Sequence, residues 1–148
     1  MLAARSARAL EEVARECREL GAGEAHAVRA DVTDRAQLDA LVAEAVARLG
    51  RIDAWAGVAG VFAFGSVADT PDDVFDRIVG VNLLGQVRGV RAVLPHLRER
   101  GAGSIVLVGS VFSRVAAPLV SAYVASKQGL AGFADSLRQE LRDTGVTV

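Results

Sequence analysis

Apolar positions along this 148-residue chain change period repeatedly, with short continuous runs alternating with longer stripes at helical spacing. Leu2 to Ala4 reads as the tail of a strand. Ser6 stands where a cap belongs, ahead of a helix through Leu20 that stops at Gly21; Leu10, Val13, Ala14, Cys17 and Leu20 form its inner face. Ala25 to Ala30 is a short strand. Thr33 or Asp34 opens a second helix, whose Leu38, Leu41, Val42, Ala45, Val46 and Leu49 make one stripe ending at Gly50. Ile52 to Ala56 is the next strand, and residues 61 to 69 are a loop. TPDDVFDRIVGVNLLGQVRGVRAVLPHL then starts as a helix should. Thr70 is placed to cap it, Pro71 fits the first helical position, and Asp73 favours the positive N-terminus. GSIVLVGS is a continuous apolar run between Gly103 and Ser110, which predicts a strand buried on both faces of a parallel sheet. Tyr123, Leu130, Phe133, Leu137 and Leu141 recur at helical intervals, and Val146 to Val148 begins a last strand. Alternating strands and helices predict an α/β fold around a parallel sheet.

Composition narrows the function classes. The net charge of −1 comes from interspersed acids and bases, without the clustered basic face that nucleic-acid binding needs. Cys17 is the only cysteine, so an intrachain disulfide and a cysteine-rich zinc site are excluded. No apolar stretch approaches the ~20 residues of a membrane span, and the start lacks a charged-then-apolar signal sequence, so a cytoplasmic protein is expected. His26 and His96 stand far apart and read as packing or surface residues, and no metal is expected.

The candidate chemistry lies in SAYVASKQGL. The only tyrosine, Tyr123, precedes the only lysine, Lys127, by four residues, which places both on one helix face. A phenol titrates near pH 10, and an adjacent cation lowers that by about 1–3 units, towards the range useful for acid/base work. Read alone, the pair is either such a tuned donor or a surface pair of no consequence. Ser110 sits thirteen residues earlier, where a parallel strand ends and open α/β sheets bind their ligands. Asn82 falls well inside the long helix, a poor place for a side chain that competes for backbone hydrogen bonds.

DVTD from Asp31 to Asp34, VNLLG around Asn82, VGS ending at Ser110 and YVASK from Tyr123 to Lys127 together resemble the middle of the short-chain dehydrogenase/reductase family. The resemblance covers the whole chain but only part of the family's length. It implies a Rossmann-like doubly wound sheet and an NAD(P)-dependent oxidoreductase that interconverts an alcohol and a carbonyl of a small-molecule substrate. It makes Tyr123 the acid/base and Lys127 its tuner and a ribose contact. Ser110 would hold the substrate oxygen, and Asn82 a water-linked proton path to Lys127. Asp31 matches the adenine contact, with Val32 beside it, and Ala59 and Gly60 fall in the cofactor-binding segment. Ser113 and Ser126 are rival hydroxyls, read as a loop residue and a helix residue. Arg5 matches a position that often meets a 2′-phosphate, and Ala4 replaces the acid of NAD-preferring members, so NADP is the expected cofactor over NAD. A homo-oligomer through the two long helices is the expected assembly.

Two departures from the family pattern stand out. GVAG at Gly57 to Gly60 replaces the usual NNAG, removing two amides that brace the central strands. The family also opens with a strand and a glycine-rich turn for the pyrophosphate, and neither occurs here. The resemblance implies the strand order 3-2-1-4-5-6-7, so the first strand and the last ones are expected to be missing. The chain is accordingly expected to be truncated at both ends, with the strands at Leu2 and Ala25 unpaired from those at Ile52 and Ile105. Other readings are an inactive remnant that binds no cofactor, or an epimerase or dehydratase of the extended relatives, which share the Tyr/Lys pair.

Overall fold

A computed structural model describes residues 1–148. In chain order it comprises β1 (Leu2–Ala4), α1 (Ala7–Glu19), β2 (Ala27–Arg29), α2 (Arg35–Leu49), β3 (Ala54–Gly57), α3 (Asp72–Val79) and α4 (Gln86–Arg100). These are followed by β4 (Gly103–Leu107), α5 (Ser121–Glu140) and β5 (Val146–Thr147). All strand pairs are parallel. They form two separate sheets, β1-β2 and β3-β4-β5. The expected split between the first two strands and the rest is therefore present.

Local chemistry fixes the helix ends. Ser6 caps α1 by accepting from Ala9 N–H. Asp34, not Thr33, caps α2: its Oδ1 accepts from Ala36 and Gln37 N–H at 2.9 and 3.2 Å. Gly50 ends that helix at φ 76°, a left-handed conformation that glycine adopts without a Cβ penalty. Thr70 does not cap α3, because its hydroxyl donates to Ser66 O in the preceding turn and Pro71 takes the cap position instead. The long helix is not continuous. Gly80–Gly85 winds as a π-helical segment between α3 and α4. Leu20, expected on the inner face of α1, is exposed, and Cys17 is only half-buried.

The core gathers α2, α4 and α5 on one side of the three-stranded sheet around Leu38, Val93, Leu97, Ile105, Leu137 and Leu141. α4 approaches β3 closely: a Cβ on Gly89 would stand 2.5 Å from the Trp55 indole, so only glycine fits unstrained there. β4 is buried on one face, not both. Ile105 is 2% exposed, whereas Val106 and Val108 on the opposite face are 53% and 43% exposed, because no helix of this chain covers them.

Between the two sheets lies an apolar slot of about 580 Å³. Met1 to Ala3 form one wall, Ala54 to Ala59 the other, and Leu38, Leu41 and Val42 part of the lining between. Leu2 N–H donates to His26 O and Ala30 N–H to Ala4 O, so the outer pairing of β1 uses Leu2 and Ala4. Ser104 N–H donates to Asp53 O and Val108 N–H to Gly57 O. Alternation along a parallel ladder therefore turns the backbone groups of Ala3, Ala54 and Ala56 into the slot.

Candidate active site

The strands deliver the candidate residues to their C-terminal edge. β4 ends at Leu107, and Ser110 follows as the cap of a short 3₁₀ turn, Val111–Ser113. Ser110 Oγ accepts from Phe112 N–H at 3.2 Å, while Ser113 Oγ accepts from Ser110 N–H at 3.1 Å. This reciprocal box holds Ser110 in place, with Ser113 as its fastener. α5 then carries Tyr123 and Lys127 one turn apart, as the spacing predicts. Lys127 is buried, and its Nζ donates to Val108 O at 2.7 Å. The same Nζ lies 5.7 Å from the Tyr123 ring centroid, within cation–π range. Burial pushes the Lys127 ammonium below the ordinary lysine value.

Asn82 sits in the π segment and is fully buried. Its Oδ1 accepts from Val61 N–H at 2.8 Å, and its Nδ2 donates to Val61 O at 2.9 Å and to Ser126 Oγ at 3.1 Å. Ser126 Oγ in turn donates to Tyr123 O at 2.7 Å. Asn82 thus reaches α5 through Ser126, beside Lys127 in the chain, and ties the loop after β3 to the tyrosine helix. Ser126 is a member of the site that sequence reasoning set aside as an ordinary helix residue. Its only sequence signal was its place between Tyr123 and Lys127.

The other predicted positions lie along the same edge. Arg5 follows β1 and is exposed, with its carbonyl accepting from Arg29 Nε. Asp31 follows β2. Hydrogen bonds from the Thr33 N–H and hydroxyl hold its carboxyl below the ordinary range, with Arg77 and Arg5 adding to them and partial burial opposing. Arg77 of α3 stands 3.8 Å from that carboxylate. Val32 packs on Gly85, where a Cβ would stand 2.8 Å from its side chain. Ala59 and Gly60 follow β3, and Gly60 faces the Asn82 amide.

Another amide stands near the missing NNAG amides. The buried Gln86 at the start of α4 donates from Nε2 to Ala59 O at 2.7 Å. Its Oε1 lies where a side chain on residue 57 would begin, so Gly57 is what admits it. An amide from the helix braces this segment in place of one from the strand. Gln86 also escaped the sequence reading, since a glutamine on an amphipathic helix carries no signal until its neighbour is known.

The family model described as short chain dehydrogenase matches residues 1–148. The chain belongs to the short chain dehydrogenase family. Among its relatives, the 2-(R)-hydroxypropyl-CoM dehydrogenase of Xanthobacter autotrophicus is 38% identical over 95% of the chain and 58% of its own length. The 2-dehydro-3-deoxy-L-rhamnonate dehydrogenase (NAD(+)) of a Sphingomonas species is 39% identical over 82% of the chain and 49% of its own length. A crystal structure of a short chain dehydrogenase from Mycobacterium smegmatis superposes with a TM-score of 0.93 at 32% identity, covering 97% of this chain and 60% of that one. The chain therefore spans about half to three fifths of the length of these relatives, and its α/β architecture is a part of the Rossmann-like fold of its structural neighbours.

Proposed function

We propose that the chain carries the catalytic residues of an NADP-preferring oxidoreductase that interconverts an alcohol and a carbonyl. The observation that carries this reading is the Tyr123 ring beside a buried Lys127 on α5, with Phe112 of the turn that Ser110 caps meeting that ring and Asn82 tied to the same helix through Ser126. When bound, the dinucleotide supplies or receives the hydride. The donor set suits it: Asp31 is an acceptor for an adenine amine, Arg5 a permanently charged fork for a 2′-phosphate, and Lys127 a donor for a ribose hydroxyl. Ser110 orients the substrate oxygen and Tyr123 exchanges the proton with it. Ala4 offers no carboxylate to a 2′-hydroxyl, which favours NADP, although one relative is named for NAD(+).

A second reading is favoured by the open slot beside β3: this chain alone holds the dinucleotide weakly, because it lacks the backbone donors of a glycine-rich turn. Titration with NADPH and NADH, followed by nicotinamide fluorescence, separates the two. Sub-millimolar binding that favours NADPH supports the first, and its absence supports the second. Where turnover is observed, Tyr123→Phe is expected to keep cofactor affinity and to lose about 10²–10⁴-fold in rate. Carbonyl reduction at the parent rate in that variant would remove Tyr123 from the role.

A further inference from the structure

Two phenylalanines flank the candidate proton donor and a third extends the row. Phe62 meets the Tyr123 ring edge-on at 4.8 Å between centroids, Phe112 meets it at 6.0 Å, and Phe64 extends the row from Phe62 at 4.7 Å. These are favourable T-shaped pairs. Two of the rings are also open to solvent, Phe64 at 78% and Phe62 at 45% exposed, and Val111, next to Phe112 in the chain, and Leu119, bonded to Gly65, are 69% and 54% exposed. Large apolar groups left exposed in one place mark binding surfaces. The wall is held by strained backbone: Leu119 sits at φ 66°, a left-handed conformation rare for leucine, and its carbonyl accepts from Gly65 N–H at 2.9 Å. That bond pins the phenylalanine-bearing loop against the start of α5.

The wall carries no charge. Residues 54–68, 105–113 and 115–126 contain no acidic or basic side chain. Arg114, which interrupts the last two stretches, lines a cleft with Ser110, Asp135 and Arg138, where Asp135 pairs with Arg138 at 2.7 Å. Lys127 is buried and directed at Val108 O. The phenylalanine row itself offers no group to hold a substrate carboxylate or phosphate, whereas its outer ring, Phe64, offers a free aromatic surface.

Building on the reading of Tyr123 as proton donor, we propose that the substrate is an aryl ketone or the matching benzylic secondary alcohol, its ring seated on Phe62 and Phe64. An aryl group bonded directly to the carbonyl carbon would extend the aromatic row that already runs from Tyr123 through Phe62 to Phe64, at the 4.5–7 Å centroid spacing typical of such pairs. The single tyrosine makes the test specific, because isotope-labelled tyrosine gives one set of resonances, all from Tyr123. Acetophenone is expected to shift them saturably, and butan-2-one and acetoacetate at equal concentration are not. Phe64→Ala removes a mostly exposed ring and is expected to weaken acetophenone binding roughly two- to tenfold, the scale of one aromatic pair. Phe62→Ala should weaken it as well, with the Trp55 emission reporting that the fold persists. No shift with acetophenone, an equal response to the aliphatic or anionic ketone, or an affinity unchanged in both variants overturns the proposal. If acetophenone binds as described and NADPH binds as well, but no reduction follows, the aryl site stands and the catalytic reading fails.

Discussion

Lys127 is a cation held where water is scarce, and that has a thermodynamic signature. Its folded-state value lies below the ordinary 10.5 because burial disfavours the charged form. The unfolded chain therefore holds the proton to higher pH, and stability rises with pH wherever the unfolded state binds more protons. At neutral pH the ammonium weighs against folding. That penalty fades as pH rises through the folded-state value towards 10.5. Urea midpoints between neutral and alkaline pH are expected to climb more steeply in the parent than in Lys127→Met, and parallel curves would show that the ammonium is well solvated. The tyrosine–lysine spacing made this pair legible in the sequence. Ser126 and Gln86 were not legible, because each acts through a partner distant in the chain: Asn82 for the first, Ala59 and the space at Gly57 for the second.

Among the elements, α4 depends on what it lacks. Gly85 and Gly89 are one turn apart and face Val32 and Trp55, and an added Cβ would overlap both. Gly89→Ala gains about 1 kcal/mol of helix propensity but overpacks the core at about 1–3 kcal/mol, so a net loss in thermal stability is expected. Gly132 in α5 has open space around its position. Gly132→Ala is expected to raise stability by up to about 1 kcal/mol, and the same sign for both variants would refute the packing argument. α2 was readable from Asp34 and its apolar stripe, since cap and stripe are local. The π segment was not, because Asn82 is held by Val61 and Ser126, which lie on other parts of the fold. Thr70 misled for a related reason: its hydroxyl had a nearer acceptor in Ser66. The GSIVLVGS run misled about its second face, since an apolar strand does not reveal whether a helix lies over it.

At the scale of the molecule, the division into two sheets was foreseeable from the family's strand order, and the geometry adds which groups it leaves open. Amide exchange is expected to be fast at Ala3, Ala54 and Ala56, which turn into the slot, and slower at Val106 and Val108, which bond into the β3–β4 ladder. Uniform protection across β3 would mean that the slot is closed in solution. The split has a mechanical side as well. With no ladder shared between the sheets, β1, α1 and β2 join the remainder by side-chain packing and by the chain itself. They are expected to loosen before the rest as a separate cooperative unit. Arg5 rides on that unit, while Tyr123 and Lys127 ride on the other. A ligand long enough to touch both behaves as a rivet across the joint. It steadies the molecule by about 2.7 kcal/mol at a hundred times its Kd, and part of its intrinsic affinity is consumed in drawing the two plates together.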